Sequence, residues 1–176
     1  RIQFMILSLV LTGFIFLGLP FIQTWAGAGY EESYGVTLLL IMPVTIPLIQ
    51  NLGMEIQRAK NMHKARSVVY FFIAIVNILI SIPLIKIKGA MGAAEGTAIS
   101  LFLGNILFMN WYYHKRIGLD MVYFWREIGK FIPALIIPCC VGVWIFKFLP
   151  IRGLVQIVMY GILYTLIYSC SMFFLG

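Results

Sequence analysis

Six apolar runs, each close to twenty residues long and separated by short polar turns, leave this chain few folds to choose from. They cover residues of about 2–25, 34–54, 68–85, 90–112, 131–148 and 154–175. A helix needs roughly 20 residues to cross the hydrocarbon of a bilayer. In lipid every backbone N–H and C=O must be satisfied internally, which leaves helices and closed barrels. Barrel strands would be shorter and would alternate apolar with polar residues, and these runs do not. The expected fold class is therefore an all-α integral membrane protein, with six transmembrane helices forming one bundle. The charge content agrees: 11% of the 176 residues are charged, where a soluble domain carries about 25%.

The formal net charge of +7 would suggest nucleic acid in a soluble protein. Here the basic residues lie between apolar runs, so membrane topology explains them and no nucleic-acid partner is expected. Arg1, Arg58, Lys60, Lys64, Arg66, Lys115, Arg116, Arg126 and Lys130 fall on one side of a six-span chain. Lys86, Lys88, Lys147 and Arg152 fall on the other. Loops rich in Lys and Arg stay in the cytoplasm. Both ends of the chain are expected there, with the Gly27–Ser33 turn outside.

Cys139, Cys140 and Cys170 lie inside apolar runs without CxxC or Cys/His ligand spacing, so neither a metal nor a cofactor is expected. The run from Ile2 to Trp25 exceeds the roughly 7–15 residues of a signal-peptide core and further spans follow it. It reads as a span, and Arg1 in place of an initiator Met points to a longer protein. Between the fourth and fifth runs, Met121–Lys130 alternates aromatics with charges at helical spacing, as an interfacial helix does.

The stretch from Pro43 to Arg66 passes from hydrocarbon to water. Pro43 and Pro47 remove backbone donors within the second span. They serve either as packing kinks or as bending points beside a central site. Gln50, Asn51 and Glu55 are expected on the cytoplasmic half of the same helix, Asn51 and Glu55 on one face. Glu55 either pairs with Arg58 at the interface or acts as an intramembrane ionisable group. Asn77 and Ser81 share a face of the third span, as helix-to-helix glue or as cavity lining. Glu95 either pairs with Lys86 or Lys88 or titrates with ion movement. Gly92, Gly96, Ser100 and Gly104 recur every four residues and should let two helix backbones approach closely.

Several phrases occur together: Trp25-Ala26-Gly27 with Tyr30 and Tyr34, Ile46-Pro47-Leu48-Ile49-Gln50-Asn51, and Ile56-Gln57-Arg58-Ala59-Lys60-Asn61 with His63-Lys64 and Arg66-Ser67. Gly89-Ala90-Met91-Gly92-Ala93-Ala94-Glu95-Gly96-Thr97-Ala98-Ile99-Ser100 and Met109-Asn110-Trp111-Tyr112-Tyr113-His114-Lys115 follow. In this order they resemble the C-terminal half of bacterial polysaccharide flippases, in the multidrug/oligosaccharidyl-lipid/polysaccharide exporter superfamily. Glu95 departs from the family phrase, which carries an apolar residue there.

The resemblance implies a twelve-helix transporter of the bacterial cytoplasmic membrane. This chain would supply helices seven to twelve and pair with an N-terminal six-helix half. It implies alternating-access translocation of undecaprenyl-diphosphate-linked oligosaccharide units for surface polysaccharide biosynthesis. Partners would be that lipid-linked oligosaccharide, membrane lipids and, as a further candidate, a coupling cation. Arg58, Lys60, Lys64 and Arg66 would attract the diphosphate. Gln50, Asn51, Glu55, Asn77 and Glu95 are the candidate cavity or transport residues. A cation-coupled multidrug exporter of the same superfamily is the alternative. A membrane sugar polymerase or glycosyltransferase is an alternative of another class. No paired-carboxylate or metal motif supports that class, and an enzyme is not expected.

Overall fold

The computed structural model describes residues 1–27, 29–59, 62–148, 151 and 153–175. Among them the chain is helical throughout, without a strand. The order is α1 (Ile2–Trp25), α2 (Glu32–Ile49), α3 (Asn51–Ala59), α4 (His63–Lys88), α5 (Ala90–Ile117), α6 (Met121–Gly129), α7 (Ile132–Phe148) and α8 (Leu154–Leu175). By length and composition α1, α2, α4, α5 and α8 can each cross a membrane. A sixth crossing is made if α6 and α7, bent by 42°, form one broken span. Large apolar side chains, Phe71, Phe72, Ile78, Leu79 and Ile82 on α4 among them, remain exposed. Water would penalise such a surface and hydrocarbon solvates it. The chain is a multi-pass, all-α membrane protein.

Three boundaries differ from the sequence reading. The second span ends at Ile49, not near residue 54, and the helix restarts at Asn51. Pro47 offers no N–H to the Pro43 carbonyl, so the last turn of α2 is already weakened where the composition becomes polar. Gln50 forms the junction, its N–H still bonded to the Ile46 carbonyl at 3.1 Å. Asn51 and Glu55 therefore lie on α3, not on the helix of Pro43 and Pro47. The third run begins its helix at His63 rather than 68. Lys and Arg are good helix formers and reach water along the helix, so Lys64 and Arg66 extend α4 without breaking it. The fourth run continues to Ile117, where Gly118 (φ 79°, ψ 25°) ends it in the left-handed conformation.

The chain divides into two compact units. In the first, Arg1–Tyr34 with Tyr123–Gly176, α1, α7 and α8 pack on one another. Tyr164, Tyr168 and Met172 recur every four residues along α8. They bury one face with Phe131 and Ala134, against Phe4, Met5, Leu9 and Phe16 of α1. Polar groups tie the same helices. Tyr168 OH donates to the Met5 carbonyl at 2.7 Å and is hydrogen-bonded to Ser8 Oγ at 2.6 Å. Ser171 Oγ donates to the Ala134 carbonyl at 2.5 Å. Such bonds are worth only about 1 kcal/mol each in a membrane. Tyr168→Phe should therefore lower unfolding stability by about 1 kcal/mol, measured by thermal denaturation in detergent, and should not abolish folding. In α6, Glu127 pairs with Arg1 at 2.9 Å and with Lys130 one turn later.

The second unit, Gly35–Val122, is built on α4 and α5, which run antiparallel through a tight turn. Gly89 makes that turn at φ 58°, ψ −132°, a conformation other residues avoid. Gly92, Gly96, Ser100 and Gly104 are all buried. A Cβ on Gly92 would overlap the Leu84 carbonyl of α4. One on Gly96 would overlap Ser81, and one on Gly104 would overlap the Ile73 side chain. Close backbone approach is the physical reason for this four-residue spacing.

Candidate functional site

The seam between α4 and α5 carries a ladder of polar side chains through the apolar part of the second unit. Its rungs follow from the antiparallel pairing, in which residues late in α4 meet residues early in α5. At the Gly89 end, Lys88 Nζ reaches Glu95 Oε1 at 2.7 Å and Oε2 at 2.8 Å, with both side chains partly exposed. An ion pair with that access to solvent contributes little.

Further along, Asn77 Oδ1 accepts from Ser81 Oγ at 2.7 Å and from Thr97 Oγ1 at 3.3 Å. Thr97 has a shorter bond to the Ala93 carbonyl, at 2.9 Å. The hydroxyl has one proton, so its bond to Asn77 is the weaker. Ser100 donates back to the Gly96 carbonyl within α5.

The next rung is the most constrained. Arg66 Nη2 donates to Tyr70 OH at 3.1 Å, and Tyr70 OH donates to Asn105 Oδ1 at 3.0 Å. The Arg66 guanidinium also lies over the Tyr70 ring, 5.0 Å from its centroid, a cation–π contact. Asn105 is 2% exposed. Its Nδ2 has no hydrogen-bond partner among the described residues. A buried donor left unmade costs about 1–3 kcal/mol, so this amide has unused binding capacity. Asn105 lies within Phe102–Met109, where α5 is wound as a π-helix, and a second π-helical stretch covers Tyr113–Ile117. Such winding is rare and frequently marks functional positions.

At the far end, Gln50 Nε2 donates to Asn110 Oδ1 at 2.7 Å, and Asn110 Nδ2 donates to the Ile106 carbonyl at 2.7 Å. The α2–α3 junction is thereby fixed to α5. Gln57 is 1% exposed and joins the end of α3 to the start of α4, its Nε2 donating to the Met62 carbonyl at 3.0 Å.

Of the residues singled out in the sequence, Gln50, Arg66, Asn77, Ser81, Lys88, Glu95 and Ser100 stand on this ladder. Glu55 is exposed on α3 and pairs with Arg58 at 2.9 Å. Asn51 opens α3 and is half-buried, and Lys64 is exposed in the first turn of α4. Pro43 is buried and Pro47 half-buried in α2. Lys60 lies outside the described residues. The ladder adds Tyr70, Thr97, Asn105 and Asn110, which sequence reasoning did not select as site residues. A polar residue inside the predicted 90–112 span was the available signal for Asn105.

Chemically, apart from the Lys88–Glu95 ion pair at its Gly89 end, the ladder offers amides, hydroxyls and one guanidinium. It suits neutral polar ligands and anions better than cations. Searches against protein-family models, characterised proteins and solved structures found no match to this chain.

Proposed function

We propose that this chain is the C-terminal six-span half of a bacterial flippase. It would move undecaprenyl-diphosphate-linked oligosaccharide units from the inner to the outer leaflet of the cytoplasmic membrane. In this reading both of its ends are cytoplasmic, an N-terminal six-helix half completes a twelve-helix transporter, and the protein is not an enzyme. The observation that carries the reading is the buried Asn105 amide, whose Nδ2 has no partner among the described residues, beside the Arg66–Tyr70 pair in a membrane-spanning helix. Sugar hydroxyls and phosphate oxygens are acceptors for such a donor, and the basic residues at the same end of α4 favour the anion. The family resemblance supplies the identity of the cargo. Glu55 and Glu95 are each engaged by a neighbouring cation, which lends no support to cation-coupled drug export through them.

The test is mass spectrometry of lipid-linked oligosaccharides in cells lacking the full-length gene, with their leaflet assigned by an impermeant glycosidase. Complete repeat units should accumulate on the cytoplasmic side and be cleared by re-expression. Normal amounts with normal outward exposure, in a strain without a second flippase, would remove the proposal.

A further inference from the structure

Beside the ladder, α4 and α5 border an apolar groove of about 370 Å³. Its walls include Val69, Phe72, Ile73 and Val76 on α4, and Leu103 and Phe108 on α5. The α4 wall, from Val68 to Val76, runs for roughly 12 Å at a rise of 1.5 Å per residue. One leaflet of hydrocarbon is about 15 Å deep, so the groove matches the depth available to a single acyl chain.

Two basic residues precede the groove on α4. Lys64 stands one helical turn before Val68, and Arg66 one turn before Val69. Neither cation is ion-paired among the described residues, whereas Arg58 is held by Glu55 and Lys88 by Glu95. On α5 the exposed Trp111 packs on the groove residue Phe108, with ring centroids 5.7 Å apart. Tryptophan concentrates at the headgroup level of a bilayer.

We propose that this groove holds one anionic phospholipid, with an acyl chain between α4 and α5 and its phosphate at Lys64 and Arg66. Charge complementarity selects the occupant: basic pockets between membrane helices recognise anionic headgroups. A zwitterionic lipid brings a headgroup cation that offsets its phosphate's attraction to Lys64 and Arg66, and free phosphate would leave the groove unused. The inference rests on the membrane reading of the fold and does not depend on the oligosaccharide cargo.

Native mass spectrometry of the full-length protein with phosphatidylglycerol or phosphatidylcholine tests it. The native chain should retain phosphatidylglycerol preferentially. The double variant Lys64→Gln/Arg66→Gln should bind it about thirtyfold more weakly, taking the usual contribution of each cation near a membrane surface. Val76→Phe, which fills the groove and leaves both charges, should also weaken retention, and soluble glycerol phosphate should not compete. Equal retention of the two lipids by the native chain would overturn the proposal. So would unchanged phosphatidylglycerol binding in the charge variant or in Val76→Phe. A Val76→Cys protein that a lipid-soluble maleimide cannot reach would show that another part of the full-length protein covers the groove, and would overturn it as well.

Discussion

Replacing Gly92 with leucine should unfold the α4–α5 pair, and this is the largest stability effect expected in the molecule. Leucine is the better helix former by about 0.8–1 kcal/mol, so local propensity alone predicts a gain. Packing decides the sign. Even the first added carbon would overlap the Leu84 carbonyl and crowd the Ile85 nitrogen. These are backbone atoms, which cannot turn aside as a side chain would. Overpacking in a side-chain core costs about 1–3 kcal/mol. Here the two helices must separate, so a loss of about 3 kcal/mol or more is expected, together with the Asn77–Ser81–Thr97 contacts along the seam. Gly129→Ala is the control, since nothing lies within 4 Å of a Cβ at that position. Thermal denaturation and yield of folded full-length protein should fall sharply for Gly92→Leu and stay near native for Gly129→Ala. A native-like melting temperature for Gly92→Leu would contradict the close approach.

The second large effect is functional. Asn105→Leu removes the bond from Tyr70, worth about 1 kcal/mol, and also removes the buried donor that has no partner among the described residues. The two changes oppose each other, since an unmade buried donor costs about 1–3 kcal/mol. Stability should therefore stay within about 1 kcal/mol of native. Tyr70 OH keeps its donor in Arg66. Transport should nevertheless fall by about tenfold or more, the loss expected when a ligand loses a hydrogen bond to charge. A residue that only joins α4 to α5 would behave differently: transport would follow stability, and neither would change much. Measuring melting temperature and translocation on the same preparations separates these outcomes.

Much of the fold is legible in the sequence because the bilayer imposes a coarse requirement. An apolar run of adequate length must form a helix, which is why Ile2–Trp25 and Leu154–Leu175 match their predicted limits. Limits set by competing local effects are harder to read. Pro47 weakens the end of α2 just where Gln50 and Asn51 bring water closer, and periodicity does not tell a kink from a break. The glycine spacing on α5 is legible as a close contact, but its partner is not. Only the antiparallel pairing shows that Gly92 meets Leu84 and Gly96 meets Ser81.

The ladder was partly legible. Asn77 with Ser81 follows from helical spacing, and Gln50 from its position at the edge of the apolar run. Asn105 escapes such reasoning, because the π-helical winding of Phe102–Met109 changes which residues of α5 face α4. A periodicity of 3.6 residues places its side chain on a different face. Tyr70 was equally hidden, as an aromatic at a span end reads as an interface anchor. Its role becomes visible only when Arg66 and Asn105 are found on either side of its hydroxyl.

The most direct test of transport uses the full-length protein reconstituted into liposomes. They carry a fluorescent undecaprenyl-diphosphate oligosaccharide in one leaflet, with an impermeant quencher outside. Native protein should move the lipid between leaflets faster than protein-free liposomes, and Asn105→Leu protein of equal stability should be slower by about tenfold or more. Exchange by the native protein at the protein-free rate, in liposomes where it is shown to be folded, would contradict the flippase reading.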